Sequence, residues 1–114
     1  HGDTMILKAQ QYLEENFTER IYMSDTARHA GLEERTFNRR FKKATGDTPT
    51  EYIQNLRIET ARKMLETSKE PVEQITRNVG YENTSSFRRL FKQHTGLSPS
   101  EYRRRFSHLT PAGS

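Results

Sequence analysis

Two short stretches carry the side chains best suited to molecular recognition. In the first, Arg35, Asn38 and Arg39 lie just ahead of Lys42 and Lys43; in the second, Thr84 and Ser85 precede Arg88, Arg89 and Lys92. Arginine can bond guanine O6 and N7 together, asparagine can do the same for adenine N6 and N7, and a threonine methyl can touch the thymine methyl. Lys42, Lys43 and Lys92 suit phosphate oxygens. Taken singly, each arginine fits solvent or a surface ion pair equally well. Carried twice in one register, the set points to contact with double-stranded DNA.

The register comes from an internal repeat. Residues 37–52 read FNRRFKKATGDTPTEY and residues 87–102 read FRRLFKQHTGLSPSEY. At a shift of fifty, Phe37, Arg39, Phe41, Lys42, Thr45, Gly46, Pro49, Glu51 and Tyr52 match Phe87, Arg89, Phe91, Lys92, Thr95, Gly96, Pro99, Glu101 and Tyr102. Upstream the register slips by one, so that Gly31 matches Gly80. The extra residue belongs to the turn or to the start of the following helix. Two copies are too few for a solenoid, so a pair of related subdomains is expected.

These side chains need helices to position them. Ile6, Ala9, Gln10, Leu13 and Phe17 recur at helical spacing, which predicts a helix over about 4–16, after a frayed lead at residues 1–4. Met23, Thr26, Ala27 and Ala30 repeat the spacing of Val72, Ile75, Thr76 and Val79, giving two helices that stop at Gly31 and Gly80. Helices over about 34–45 and 84–94 follow, the second capped by Asn83. In these two, Phe37 with Phe41 and Phe87 with Phe91 form i,i+4 pairs that read as core, leaving the cations outside. Thr48-Pro49 and Ser98-Pro99 each start a further helix, with proline at the first helical position.

The helix over 49–67, roughly 27 Å long, has an unusually wide apolar surface. Tyr52, Ile53, Leu56 and Met64 fall in one sector and Ile58, Ala61 and Leu65 in the next, as expected of a rod that packs against two lobes. Arg57 lies inside the apolar sector and is expected to be paired internally. The last helix should carry Tyr102 and Phe106 inward. Arg103 to Arg105 fit either backbone contact or a solvated face, and Arg103 is placed among the phosphate-binding set. The chain is thus expected to be all-α, with seven helices: residues 5–48 as a first helix-turn-helix subdomain, 49–67 as a linker helix, 68–106 as a second subdomain and 107–114 as a flexible tail.

Bulk properties agree. The 114 residues suit one domain or two small lobes. The net charge is +4, with the arginines clustered in 35–43 and 88–105, where a local field attracts a polyanion. There is no cysteine, hence no disulfide or thiolate chemistry. No apolar run approaches the roughly 18 residues of a membrane span, and the opening residues do not read as a signal peptide. A cytoplasmic protein without a membrane partner is expected. The four histidines are scattered, without ligand spacing for a metal. Phosphate-loop, dinucleotide and nucleophile-elbow motifs are missing. No catalytic residue, metal or cofactor is expected.

The stretches VGYENTSSFRRLFKQHTGLSPSEYRR, AGLEERTFNRRFKKATGDTPTEY and LRIETARKMLE resemble the DNA-binding domain of the AraC/XylS family of bacterial transcription regulators. The resemblance covers about residues 5–106 and implies two helix-turn-helix subdomains whose second helices enter the major groove. Carried over, the base-reading positions are Arg35, Asn38 and Arg39 in the first unit and Thr84, Ser85, Arg88 and Arg89 in the second. It also implies RNA polymerase as a partner, and a sensor or oligomerisation domain on the N-terminal side of the intact regulator. The opening HGDTMILKAQQYLEENF resembles the subgroup whose N-terminal part is like a PfpI-type amidotransferase. Thr26 and Thr76 depart from the family's apolar preference inside the first helix of each motif. Glu33 and Glu34, beside the first reading helix, would repel phosphate. The rival reading is a helical protein-interaction module with an incidental basic face.

Overall fold

Capping residues and left-handed glycines set the helix limits. The computed structural model describes residues 2–109. These form α1 (Thr4–Asn16), α2 (Met23–His29), α3 (Glu34–Thr45), α4 (Pro49–Thr67), α5 (Val72–Asn78), α6 (Thr84–Thr95) and α7 (Pro99–Phe106). The described residues contain no strand. Gly46 and Gly96 end α3 and α6 at φ of 87° and 82°, and their N–H groups donate to the carbonyls of Lys42 and Lys92. Only glycine adopts that backbone without strain. Thr48 and Ser98 then open α4 and α7 with reciprocal capping: Glu51 N–H donates to Thr48 Oγ1 at 3.1 Å, and Glu101 N–H to Ser98 Oγ at 3.2 Å. Bonds with the cap residues hold both carboxyls below the usual glutamate range, Glu51 chiefly through the Thr48 N–H and then its side chain, Glu101 chiefly through the Ser98 side chain and then its N–H.

The chain divides into two units, His1–Leu56 and Arg57–Ser114, with the boundary inside α4. In the first, Ile6, Ala9 and Leu13 of α1, Ala27 and Ala30, Phe37 and Phe41 of α3 and Ile53 of α4 form one buried core, with Tyr52 and Leu56 packed against it. In the second, Ile58, Ala61 and Leu65 of α4 pack with Val72, Ile75, Val79, Phe87, Phe91 and Tyr102. The two sectors of α4 therefore serve different cores. Met64, grouped with Tyr52 by periodicity alone, packs instead with the second.

Each unit is a four-helix set, and the repeat is more extensive than the motif at residues 37–52 indicates. Ile6, Ala9, Gln10, Leu13 and Glu14 of α1 correspond to Ile58, Ala61, Arg62, Leu65 and Glu66 of α4, at a shift of fifty-two. The packing repeats as well. Tyr52 stands edge-on to Phe41 at 5.3 Å between ring centroids, and Tyr102 edge-on to Phe91 at 5.4 Å. Tyr52 donates to Glu14 and receives a bond from Gln10; Tyr102 donates to Glu66 and receives one from Arg62. In both turns the chain closes the same way, with Leu32 N–H bonding to Ala27 and Tyr81 N–H to Thr76. The residue that shifts the register is therefore in the turn of the second unit, between Tyr81 and Asn83.

Several expectations are revised. Asp3 is no frayed lead: it caps α1 by accepting from Ile6 N–H and holds Arg40 of α3 in an ion pair at 2.8 Å. His1 lies outside the described residues. Phe106 does not point inward; it is 44% exposed in the last turn of α7, its ring tilted at 43° to that of Tyr102 with 4.7 Å between centroids. By that turn the helix has passed the second core. Thr26 and Thr76 are fully buried without disturbing the packing, because each hydroxyl donates to the carbonyl four residues back, Tyr22 at 3.2 Å and Val72 at 2.8 Å. Of the segment 107–114, residues 110–114 lie outside the described residues, while His108 N–H donates to the Glu66 carbonyl at 2.8 Å. Arg57 is half-buried, with its guanidinium over the Tyr81 ring at 5.0 Å, the internal pairing expected of it.

Candidate nucleic-acid interface

In the second unit, α5 and α6 pack together as a helix-turn-helix. Asn83 starts α6 by accepting from Ser86 N–H at 3.0 Å. Phe87 and Phe91 anchor the helix in the core, so the opposite face must meet solvent. That face carries Ser85, Arg88, Arg89 and Lys92, all exposed, with Thr84 half-buried at its start. Arg88, Arg89, Lys92 and Gln93 line an open groove that runs to Ser98 at the cap of α7. Arg88 also reaches back to Glu73 of α5 at 3.4 Å, both side chains about half exposed. At that exposure the pair contributes little stability.

In the first unit, α2 and α3 pack in the same way, with Phe37 and Phe41 buried. Arg35, Asn38, Arg39, Lys42 and Lys43 are exposed on the outer side of α3. Arg40, one residue on, turns away to Asp3. Within each unit the residues expected at one reading face thus do lie on one helix surface. The two faces differ chemically: Asn38 stands where the second unit has Arg88, and Arg35 where it has Ser85. The lysines share an arrangement, as Lys42 lies near Glu51 and Lys92 near Glu101, close enough to help hold those carboxyls ionised.

Arg103 sits differently from the other expected phosphate ligands. It is half-buried, and its guanidinium donates to the carbonyls of Leu65 at 3.4 Å and Ser68 at 3.2 Å, at the C-terminal end of α4. There a cation satisfies carbonyls that the helix leaves unpaired. Sequence reasoning also missed Asp3–Arg40 and Glu73–Arg88. For Arg40 a signal existed: its counterpart is Leu90, which packs partly buried against the second core, so a charge there needs an internal partner. For Glu73 none did, since its counterpart is Ser24 and the contact joins different helices.

A family model described as a helix-turn-helix domain matches residues 26–105. The MmsAB operon regulatory protein of Pseudomonas aeruginosa is 36% identical over 94 residues, which are 82% of this chain and 31% of that protein. A transcriptional regulator of Chromobacterium violaceum, described as containing an AraC-type DNA-binding domain, superposes with a TM-score of 0.84 at 25% identity, over 94% of this chain and 96% of that one. The chain belongs to the AraC/XylS family. The DNA-binding domain of AdpA, described as a global transcriptional factor and solved in complex with a target DNA, matches with a TM-score of 0.87 at 28% identity, covering 95% of this chain and 97% of that one. AraC/XylS proteins are transcription regulators rather than enzymes. The chain spans about a third of the length of its curated relatives. No helix among the described residues is long and apolar enough to cross a membrane.

Proposed function

We propose that this chain is a sequence-specific double-stranded-DNA-binding module of a transcription regulator, with α3 and α6 reading two major-groove subsites. The observation that carries the reading is the repeated placement of cations and amides on the exposed face of a helix whose opposite face is locked by a buried phenylalanine pair. A recognition helix needs that arrangement, rigid behind and donor-rich in front. Arg35, Asn38 and Arg39 read bases from α3, and Thr84, Ser85, Arg88 and Arg89 from α6. Lys42, Lys43 and Lys92 bind phosphates and set the register. Arg103 joins the phosphate-binding set, with Nε and Nη2 on the carbonyls at the end of α4 fixing its guanidinium and Nη1 left to reach a phosphate. The AdpA domain bound to its target DNA supports the same use of the fold here.

In the intact regulator this module works in the cytoplasm, joined to a sensor or oligomerisation domain and acting with RNA polymerase. The N-terminal part is of the PfpI-like type. The two subsites lie about one turn apart, roughly 10 bp. Because the reading faces differ, the site for one chain is asymmetric. Selection of bound duplexes from a random pool tests this. Two unlike blocks of preferred bases with centres about 10 bp apart are expected. A palindrome bound by one chain, or a single block, would contradict the two-unit reading.

A further inference from the structure

The repeat register assigns a role to a residue that carries the wrong charge for a DNA-facing surface. Glu34 is the first residue of α3, as Thr84 is of α6, and the two correspond at the same shift of fifty that aligns Arg39 with Arg89. A helix-turn-helix reads base edges with the N-terminal residues of its second helix. Glu34 lies one turn before Asn38 and shares its stripe of the helix. Its side chain is exposed and makes no hydrogen bond or ion pair among the described residues. Some carboxylates elsewhere are engaged, as Asp3 with Arg40 and Glu73 with Arg88, while Glu15 and Glu70 are as unpaired as Glu34. What distinguishes Glu34 is its place at the start of α3, beside Arg35 and Asn38. Glu33 differs, since it precedes the helix at the position where Asn83 caps α6.

Resting on the proposal that α3 reads DNA, we propose that Glu34 is a specificity-determining residue that accepts a hydrogen bond from the 4-amino group of a cytosine. A carboxylate offers only acceptors. In the major groove guanine and thymine present acceptors, adenine presents its amino donor beside the N7 acceptor, which repels a carboxylate, and cytosine presents an amino donor with no acceptor beside it. The same charge disfavours phosphate, so Glu34 lowers binding to DNA that lacks this cytosine. It thus sharpens the α3 subsite by rejection as well as by attraction.

The test uses the full chain and duplexes carrying the selected site. Each cytosine of the α3 subsite is replaced in turn by 2-pyrimidinone, which pairs opposite guanine but lacks the 4-amino group. Wild type should lose roughly 5- to 100-fold in affinity at one such position. Glu34→Ala should be indifferent to the change there and should bind unselected duplexes more tightly than wild type. If Glu34→Ala instead strengthens binding to every duplex by one factor, with base preferences intact, the carboxylate only repels phosphate and the inference is overturned. Tolerance of the deletion at every cytosine by wild type overturns it as well. Arg39→Ala on the same panel separates the two levels. If it changes preference in this subsite while Glu34→Ala does not, only Glu34 was misassigned; if neither does, the reading of α3 falls too.

Discussion

Between 50 and 200 mM salt, the affinity of this chain for a duplex carrying its site should fall by about 10³- to 10⁵-fold. The loss follows from counterion release: each phosphate neutralised by a lysine or arginine frees a condensed cation, and salt opposes that release. About six to ten phosphate contacts give a log–log slope near −0.9 per contact. The net charge of +4 is modest, so the effect depends on clustering rather than on the total. Lys42 and Lys43 in one unit and Lys92 in the other are exposed, and they are the phosphate ligands proposed above. Titration of a labelled duplex at several salt concentrations measures the slope. A helical module that docks on proteins through apolar contacts would show little slope, and a flat response would favour that rival.

Leu65→Ala should destabilise the second unit by about 2–5 kcal/mol. Leu65 is fully buried in α4 among Ile58, Ala61, Val72 and the α6 phenylalanines, so truncation leaves a cavity as well as losing apolar burial. Leu56, only half-buried against the first core, should cost less when changed in the same way. Thermal and denaturant melts of both variants make the comparison. For a protein of this size a loss at the upper end is a large share of the total stability. An unmoved midpoint for Leu65→Ala would show that the second half of α4 is not packed as described. Leu56→Ala exceeding it would place the tighter packing in the other half.

The helices could be read from the sequence because local signals decide them. Glycine at the left-handed position, Thr48-Pro49 and Ser98-Pro99 at the helix starts, and paired phenylalanines one turn apart all act within a few residues. The repeat then confirmed each signal with a second copy. Side-chain direction at the reading faces followed, since burying Phe37 and Phe41 leaves Arg35, Asn38 and Arg39 no other side. Partnerships over long separations were not readable. Asp3 with Arg40 and Glu73 with Arg88 depend on how helices pack, and no spacing announces them. Phe106 looked inward by periodicity, yet exposure at a helix end depends on where the core stops. The correspondence between α1 and the second half of α4 was hidden by its different shift and by the exchange of Gln10 for Arg62, although the contacts to Tyr52 and Tyr102 preserve it.

On the proposal that α3 and α6 each read bases at different places, equivalent arginines carry the reading. Arg39 and Arg89 are exposed at the same register of the repeat, two residues after the first core phenylalanine of their helices. Binding of Arg39→Ala and Arg89→Ala to a panel of singly substituted duplexes tests it most directly. Each variant should lose preference in its own subsite, by about 1–3 kcal/mol where the arginine is bidentate to a guanine, and the double variant should show the sum. Loss of preference at the same bases by both variants, or a uniform drop in affinity across the panel, would make these arginines phosphate clamps and contradict the account.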